Sequence, residues 1–224
     1  MNKIASIWDF DGTIVYSWKT FYRPFPILFE KYHIRKEVLD PDLYHEVYYG
    51  RAIEAVLREY IGPEIDRDTC LAMAEDYVDL ALEMFKAAPV EDVPLIHGVR
   101  RVLDFFAEHE CPMAIASSST MPTLVTVLEK HGMLEYFTNL ISGHMLPAKP
   151  EPDVFLTAAA SLGMNPKNCV VFEDSLAGMK GAKNAGMKCV GIASTVPISR
   201  IVDADIPLET YDTLTFEAIQ KLFE

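Results

Sequence analysis

The first apolar run of the chain is short and ends in an acidic residue. It begins at Ile4 and is followed by Asp9. A continuous apolar run of this length, bounded by turn residues, is typical of a buried strand, and we predict one over Ile4–Asp9. Gly12 follows two positions later, so we expect the strand to lead into a polar turn.

The region after this strand has only the spacing of helices. The segment Trp18–Tyr32 is amphipathic, although Pro24 and Pro26 must begin or interrupt a helix there. Apolar residues recur at helical spacing over Arg51–Tyr60 and again over Asp68–Lys86. Because this region has no strand pattern of its own, we predict that it is an all-helical insertion.

Strands and helices alternate downstream of Gly98. Predicted strands cover Met113–Ala116, Leu140–Ser142, Cys169–Phe172 and Cys189–Ala193. Predicted helices cover Val99–His109, Met121–His131, Asp153–Leu162, Ser175–Ala185 and Phe216–Phe223. Such alternation predicts an α/β fold with a Rossmann-like parallel sheet. We place the core at residues 1–15 and 93–224, and an inserted helical cap at residues 16–92.

Composition and charge narrow the classes of partner. Half of the 224 residues are hydrophobic, and the formal net charge is -13. Nucleic acid and anionic membranes need a basic face, so neither is an expected partner. No apolar run has the length of a membrane span, so we expect a cytoplasmic protein. We also expect a monomer or a weak homodimer. The cysteines form no CxxC pair and are expected to be reduced.

Polar side chains that could take part in catalysis follow four predicted strands: Asp9 and Asp11, then Ser117, then Lys149, then Glu173 and Asp174. The carboxyl ends of parallel strands meet at one edge of a sheet, so we expect these side chains to converge. Carboxylates, a hydroxyl and an ammonium are the groups that phosphoryl transfer requires. Mg²⁺ suits such a site because it prefers oxygen ligands and shares its shell with phosphate.

Each of these residues also has a simpler interpretation. Ser117 could cap the helix that follows it, since serine is common at that position. Lys149 could be a solvated loop lysine. Glu173 and Asp174 could be acids of a first helical turn, where the helix dipole favours them.

Four strings of residues, in this order and spacing, carry a family resemblance: Asp9-Phe10-Asp11-Gly12-Thr13, Ala116-Ser117-Ser118-Ser119, Lys149-Pro150-Glu151-Pro152-Asp153-Val154-Phe155 and Phe172-Glu173-Asp174-Ser175-Leu176-Ala177-Gly178. With them the chain resembles the haloacid dehalogenase superfamily of phosphatases, and within it the beta-phosphoglucomutase-like branch. The resemblance extends over nearly the whole chain. It implies that the helical insertion is a mobile cap over the substrate.

The resemblance also implies catalytic roles. Asp9 is expected to attack phosphorus and to become an aspartyl-phosphate. Asp11 is expected to protonate the leaving oxygen and then to take a proton from the attacking water. The transferring phosphoryl group is expected to be bound by Ser117, Ser118 and Lys149.

A magnesium site is implied beside these residues. Asp174 is expected to bind Mg²⁺ together with Asp9 and the backbone carbonyl of Asp11. Glu173 is expected to support this acidic cluster as part of the metal site.

Two residues near or in the cap depart from the family pattern or remain ambiguous. Tyr16 stands where close relatives usually carry an acid, which suggests a more apolar or stacking surface near the cap hinge. Arg51 falls where the branch often has a cap loop that faces the substrate, and its guanidinium could pair with a second anionic group. It could equally be a solvated arginine near a helix start.

These observations predict a magnesium-dependent phosphatase of a small phosphorylated metabolite, such as a sugar phosphate. A phosphosugar mutase would use the same core residues and return the phosphoryl group to the sugar. A catalytically silent binding protein on this fold is a third interpretation, but such proteins usually lack one of the residues named above. Dehalogenase chemistry is disfavoured because dehalogenases need no acid at the position of Asp11.

Overall fold

Six strands within the described residues form one parallel sheet, in the spatial order β3-β2-β1-β4-β5-β6. This computed structural model describes residues 3–63 and 65–224. The strands are β1 (Ala5–Trp8), β2 (Met113–Ser117), β3 (Asn139–Ser142), β4 (Cys169–Glu173), β5 (Lys188–Ile192) and β6 (Ile206–Leu208). The predicted α/β class is therefore confirmed. Positions 1 and 2 of the predicted core and position 64 of the predicted cap lie outside the described residues.

The α-helices are α1 (Trp18–Tyr22), α2 (Pro24–Lys31), α3 (Pro41–Leu43), α4 (Ile53–Ile61), α5 (Arg67–Ala87), α6 (Val99–Glu108), α7 (Met121–Lys130), α8 (Asp153–Ser161), α9 (Leu176–Asn184) and α10 (Phe216–Lys221). A π-helical turn, Tyr44–Tyr48, continues from α3. Short 3₁₀ turns cover Val90–Asp92, Leu134–Tyr136, Pro166–Asn168, Ile198–Arg200 and Tyr211–Thr213. None of the helices within residues 3–63 and 65–224 has both the length and the apolar character needed to cross a bilayer.

The chain divides into two compact units. One comprises the residues up to Tyr16 together with Pro94–Glu224, and the other is Ser17–Val93. Each limit lies one residue from the boundary predicted between core and cap. The first unit contains the whole sheet, and the described part of the second unit contains helices without a strand. The roles of the two units as catalytic core and cap remain a prediction.

The sheet is buried on both faces, as a parallel sheet requires. Alternate residues of β1 point to opposite sides, so Ala5 and Ile7 join the cluster that packs on α8 and α9. Trp8 lies on the other face, where its ring stacks on that of Phe172 at 3.8 Å between centroids. Phe106 of α6 meets the same tryptophan edge-on. This packing fixes the strand that leads directly to Asp9.

The helical unit has its own core. Buried side chains of α5, including Met73 and Tyr77, pack with Phe25 and Leu28 of α2. The Tyr77 hydroxyl donates a hydrogen bond of 2.8 Å to the carbonyl of Phe21. The unit therefore has an aromatic interior that agrees with the amphipathic spacing of its sequence.

One expected break in a helix is present in the structure, and one strand was not predicted. The interruption expected within Trp18–Tyr32 is present, because Pro24 has no N–H to continue α1 and instead opens α2. The strand β6 was not predicted. It has three residues and contains Pro207, so it shows neither the length nor the alternation by which a strand is recognised.

Candidate active site

Two neighbouring strands deliver three carboxylates to one point. β1 and β4 pair in register, with Trp8 opposite Phe172, so the residues that follow each strand lie side by side. The Asp9 N–H donates to the Phe172 carbonyl at 2.9 Å, which extends this pairing by one residue. Ligand oxygens of Asp9, Glu173 and Asp174 all lie within 4.8 Å of one another, and all three residues are buried. The predicted convergence at the carboxyl edge is thus present for these acids.

Lys149 provides the positive charge of this cluster. Its Nζ donates to Asp9 Oδ1 and to Glu173 Oε1, each at 2.6 Å, and to the Ala116 carbonyl at 3.3 Å. Only 9% of the lysine side chain is exposed. The interpretation of Lys149 as a solvated loop lysine is therefore wrong, because the ammonium is held between two buried carboxylates.

Glu173 has hydrogen bonds on both of its carboxylate oxygens. While Oε1 accepts from Lys149, Oε2 accepts from the backbone N–H groups of Asp174 and Ser175 at 2.9 and 2.8 Å. The residue is fully buried, and a Cβ added at Gly178 of α9 would overlap its carboxylate. These contacts hold the Glu173 carboxylate in a fixed position within the acidic cluster. Its service as a direct metal ligand remains a prediction.

Two threonine hydroxyls hold Asp174. Thr13 Oγ1 donates to Asp174 Oδ1 at 2.9 Å, and Thr195 Oγ1 donates to Asp174 Oδ2 at 2.5 Å. Gly12 adopts a φ of +85°, and a Cβ there would overlap the Asp174 carboxylate. Glycine is therefore required at position 12 for two reasons, the left-handed backbone and the space that the carboxylate occupies.

The end of β2 carries a serine network. The Ser119 N–H donates to Ser117 Oγ at 3.1 Å, and Ser119 Oγ donates to Asp11 Oδ2 at 2.5 Å. Ser142 Oγ donates to the Ser119 carbonyl at 2.8 Å, which ties the loop to the end of β3. Ser117 is buried, whereas Ser118 is exposed. The structure thus brings Asp11 and Ser117 into one network, linked by a residue that the sequence did not single out.

Burial raises the pKa of two carboxyl groups in this cluster, those of Asp9 and Asp174. Loss of hydration raises the pKa of Asp9 to about 7, although the neighbouring Lys149 opposes the rise. The pKa of Asp174 is also raised well above its ordinary value, by burial first and then by the charges of Glu173 and Asp9. Burial alone would lower the pKa of Lys149, but the two carboxylates outweigh it and the pKa is raised. The ammonium is therefore charged at neutral pH.

These residues fit a divalent cation. If all are ionised, Asp9, Glu173 and Asp174 exceed the single charge of Lys149 by two negative charges. Such a surplus in a buried cluster is costly unless a cation offsets it. Each carboxylate oxygen of Asp174 accepts one hydroxyl and keeps a second lone pair, so Asp174 can still contribute a ligand. All donors are oxygens, which suits Mg²⁺ rather than a softer metal.

The two residues predicted near the cap lie in different units. The Tyr16 N–H donates to the Pro94 carbonyl at 2.8 Å, so its backbone belongs to the unit that holds the sheet. Arg51 lies just before α4 and pairs with Glu59 at 2.5 Å, and its guanidinium stands 5.3 Å from the Tyr48 ring centroid. Both side chains of this pair are partly exposed. Contact of Tyr16 or Arg51 with a substrate remains a prediction.

Three residues of the network were missed as functional candidates. Thr13 and Ser119 stand inside strings that carry the resemblance, so their polar type beside an acid was the available signal. Thr195 stands in none of those strings. Its contact with Asp174 exists only because the chain after β5 folds back over the turn that contains Gly12, where Ser194 Oγ also donates to the Gly12 carbonyl.

The chain is similar to several known proteins. A validoxylamine A 7'-phosphate phosphatase of Streptomyces hygroscopicus subsp. limoneus is 28% identical over 217 residues, which cover 93% of this chain and 94% of that protein. Hexitol phosphatase B of Escherichia coli is 35% identical over 128 residues, 56% of this chain and 58% of that protein. A crystal structure of beta-phosphoglucomutase from Clostridium difficile has a TM-score of 0.82 at 22% identity and covers 99% of this chain and 97% of that one.

A family model adds direct evidence of membership. The model of the haloacid dehalogenase-like hydrolases matches residues 6–192, which include all four strings on which the resemblance rests. The predicted family, with its beta-phosphoglucomutase-like relatives, and the predicted class of enzyme are confirmed. The chain belongs to the haloacid dehalogenase-like hydrolase family.

Proposed function

We propose that this protein is a Mg²⁺-dependent phosphatase that hydrolyses the phosphate ester of a small metabolite through an aspartyl-phosphate on Asp9. The observation that carries the proposal is the buried cluster itself. Lys149 Nζ lies 2.6 Å from Asp9 Oδ1, beside the carboxylate of Asp174. A fixed ammonium and a cation site next to one carboxylate are what an anionic phosphoryl group needs at its point of attack.

The first half of the reaction transfers the phosphoryl group to the protein. A carboxylate oxygen of Asp9 attacks phosphorus, and the bond between phosphorus and the ester oxygen breaks. Asp11 gives its proton to that oxygen, so the leaving group departs as a neutral alcohol. Lys149 and the Ser117 hydroxyl bind the phosphoryl oxygens.

The second half returns Asp9 to its starting state. Asp11, now a carboxylate, takes a proton from water as that water attacks phosphorus. The bond between phosphorus and Asp9 breaks and inorganic phosphate leaves. The hydrogen bond from Ser119 holds the Asp11 carboxylate in place for both proton transfers.

The metal site is formed by Asp9, Asp174 and the backbone carbonyl of Asp11, with Glu173 as support. When bound, Mg²⁺ supplies positive charge that offsets the phosphate and the acidic cluster. The hydroxyls of Thr13 and Thr195 keep the Asp174 carboxylate in a fixed orientation.

The proposed substrate is a phosphorylated polyol or sugar. The relatives that support this class are hexitol phosphatases A and B, which are named for a polyol. The validoxylamine A 7'-phosphate phosphatase is named for the phosphate ester of another small molecule. The alternative, a phosphosugar mutase, draws support from the similar fold of a beta-phosphoglucomutase. The two differ only in whether the phosphoryl group goes to water or back to a sugar.

Phosphate release over a panel of sugar, hexitol and nucleoside phosphates tests the proposal, with Mg²⁺ and with EDTA. We expect multiple turnovers of one class in Mg²⁺, loss of activity in EDTA, and a fall of at least about 1,000-fold in Asp174→Asn. Release that persists in EDTA would contradict the role of the metal. If no compound is hydrolysed and a sugar phosphate is isomerised in the presence of a bisphosphate activator, the mutase is correct.

A further inference from the structure

The loop after β5 forms a wall of the acidic site that no sequence motif marks. Ser194 and Thr195 follow Ile192 by two and three residues, and both donate side-chain hydrogen bonds toward the catalytic loop. Ser194 Oγ donates to the carbonyl of Gly12. The loop therefore contacts the turn after β1 from the side of β5.

Thr195 contacts the carboxylate of Asp174, whereas the Ser194 hydroxyl donates to a backbone carbonyl. Its Oγ1 lies 2.5 Å from Asp174 Oδ2 and 3.2 Å from the Asp174 carbonyl. Its methyl carbon is one of the atoms that a Cβ at Gly12 would strike. One side chain thus fixes the carboxylate by its hydroxyl and packs against the glycine turn by its methyl group.

Thr13 completes the arrangement from the opposite oxygen. Its hydroxyl donates to Asp174 Oδ1 at 2.9 Å, and its own carbonyl accepts from the buried hydroxyl of Tyr211 at 3.2 Å. Both oxygens of Asp174 are therefore oriented, and the rotation of the carboxylate is restricted. Each oxygen retains one lone pair for a cation.

We propose that Thr195 is a positioning residue for the metal site, because its hydroxyl orients the Asp174 carboxylate for Mg²⁺. In this role Thr195 needs no contact of its own with the substrate or the metal. It acts through Asp174, as outer partners of metal ligands commonly do, and loss of such a partner weakens metal binding by about 10- to 100-fold. This inference rests on the proposed function, since it requires that Asp174 binds Mg²⁺.

Isothermal titration calorimetry with MgCl₂ alone, in the absence of any substrate, measures the Kd for Mg²⁺ and tests the inference on the full chain. Thr195→Val removes the hydroxyl and keeps the branched shape, and we expect its Kd for Mg²⁺ to rise at least about 10-fold. Thr195→Ser keeps the hydroxyl, so its Kd should stay within about 3-fold of the wild type. Thr138→Val, which removes an exposed hydroxyl before β3, is the matched control and should leave the Kd unchanged.

Thr195→Ala is measured in parallel, so that a folding defect of the valine variant does not decide the outcome. Wild-type affinity in a folded Thr195→Val or Thr195→Ala protein would overturn the inference. Equal weakening by Thr195→Ser would overturn it too, because the methyl group rather than the hydroxyl would then be responsible. If the wild type hydrolyses phosphate esters but Mg²⁺ binds equally well to all variants, the inference fails and the proposed function stands. If the wild type does not bind Mg²⁺, both fail.

Discussion

Lys149 and Glu173 form a buried ion pair at 2.6 Å in which the lysine also contacts the proposed nucleophile, Asp9. The glutamate side chain is fully buried and the lysine is 9% exposed. The pair therefore does two things at once. It holds the ammonium where a phosphoryl group would meet it, and it compensates a carboxylate that cannot be hydrated.

Removal of the lysine should destabilise the fold as well as abolish turnover. Lys149→Met leaves two buried carboxylates without their cation, and we expect a loss of about 3–5 kcal/mol in the free energy of unfolding. Addition of Glu173→Gln should recover part of this loss, because one of the uncompensated charges is gone. Urea unfolding in EDTA measures both effects.

The exposed pair Lys183–Asp203, at 2.9 Å, provides the control. Lys183→Met should change the free energy of unfolding far less, since exposed ion pairs contribute little. If Lys149→Met and Lys183→Met have equal effects on stability, the Lys149 cluster does not hold the fold in the way described.

Gly178 should not tolerate a methyl group although it lies in a helix. Replacing glycine by alanine in a helix interior normally raises the free energy of unfolding by about 0.5–1 kcal/mol. At Gly178 the added Cβ would overlap the Glu173 carboxylate, which Lys149 and two backbone N–H groups hold in place. We expect Gly178→Ala to lower the free energy of unfolding by about 1–3 kcal/mol.

Thermal denaturation measures the effect of Gly178→Ala on stability in two backgrounds, the wild-type chain and Glu173→Ala. In a Glu173→Ala background the obstacle is absent, so the same substitution should be neutral or stabilising. A stabilising effect of Gly178→Ala in the otherwise wild-type chain would contradict the packing described for Glu173.

Ser119 should matter most for substrates with a poor leaving group. Its hydroxyl holds the proposed acid, Asp11, at 2.5 Å. An alkoxide needs that proton to depart, whereas 4-nitrophenolate leaves without it. We expect Ser119→Ala to lower kcat/KM, which reports only the steps up to departure of the leaving group, by about 10- to 100-fold on a sugar phosphate and by clearly less on 4-nitrophenyl phosphate. Steady-state kinetics on both substrates gives the comparison.

Ser119→Thr keeps the hydroxyl and should retain activity on both substrates. Equal losses of kcat/KM for the two leaving groups in Ser119→Ala would show that Ser119 does not act through the proton that Asp11 gives to the leaving oxygen.

The stabilising effect of Mg²⁺ should increase with pH. Burial raises the pKa of Asp9 from 3.8 to about 7. The fold therefore favours the protonated acid, and this contribution to stability is complete below the unfolded value and is lost as the pH rises through 7. Mg²⁺ compensates the charge of ionised Asp9, so the rise in the Tm of the protein that Mg²⁺ causes should be larger at pH 8 than at pH 5. Melting curves with Mg²⁺ and with EDTA at each pH test this, and an equal or larger shift at pH 5 would refute it.

The sequence predicted those parts of the site that depend on the ends of strands. Asp9 and Asp174 directly follow strands that are buried throughout, the second of which ends in Glu173, and the convergence of parallel strands then requires the two acids to meet. Glu173 and Lys149 were found on the same grounds and through the resemblance. Local pattern was sufficient because position along each strand determined position in space.

The remaining contacts depend on how loops fold back. Ser119 and Asp11 are 108 positions apart, and nothing in either segment shows that the hydroxyl meets the carboxylate. Thr195 reaches Asp174 from a loop whose residues resemble those of any polar turn. Such contacts are set by the tertiary path of the chain, which periodicity does not report.

Rapid acid quench during turnover tests the central claim, that phosphorus is transferred to Asp9, most directly. The quenched protein is digested, and its peptides are analysed by tandem mass spectrometry to locate any phosphoryl group. We predict a phosphorylated peptide with the group on Asp9, formed with Mg²⁺ and absent in EDTA and in Asp9→Asn. A phosphoryl group on another residue, or phosphate release by Asp9→Asn at the wild-type rate, would contradict the account.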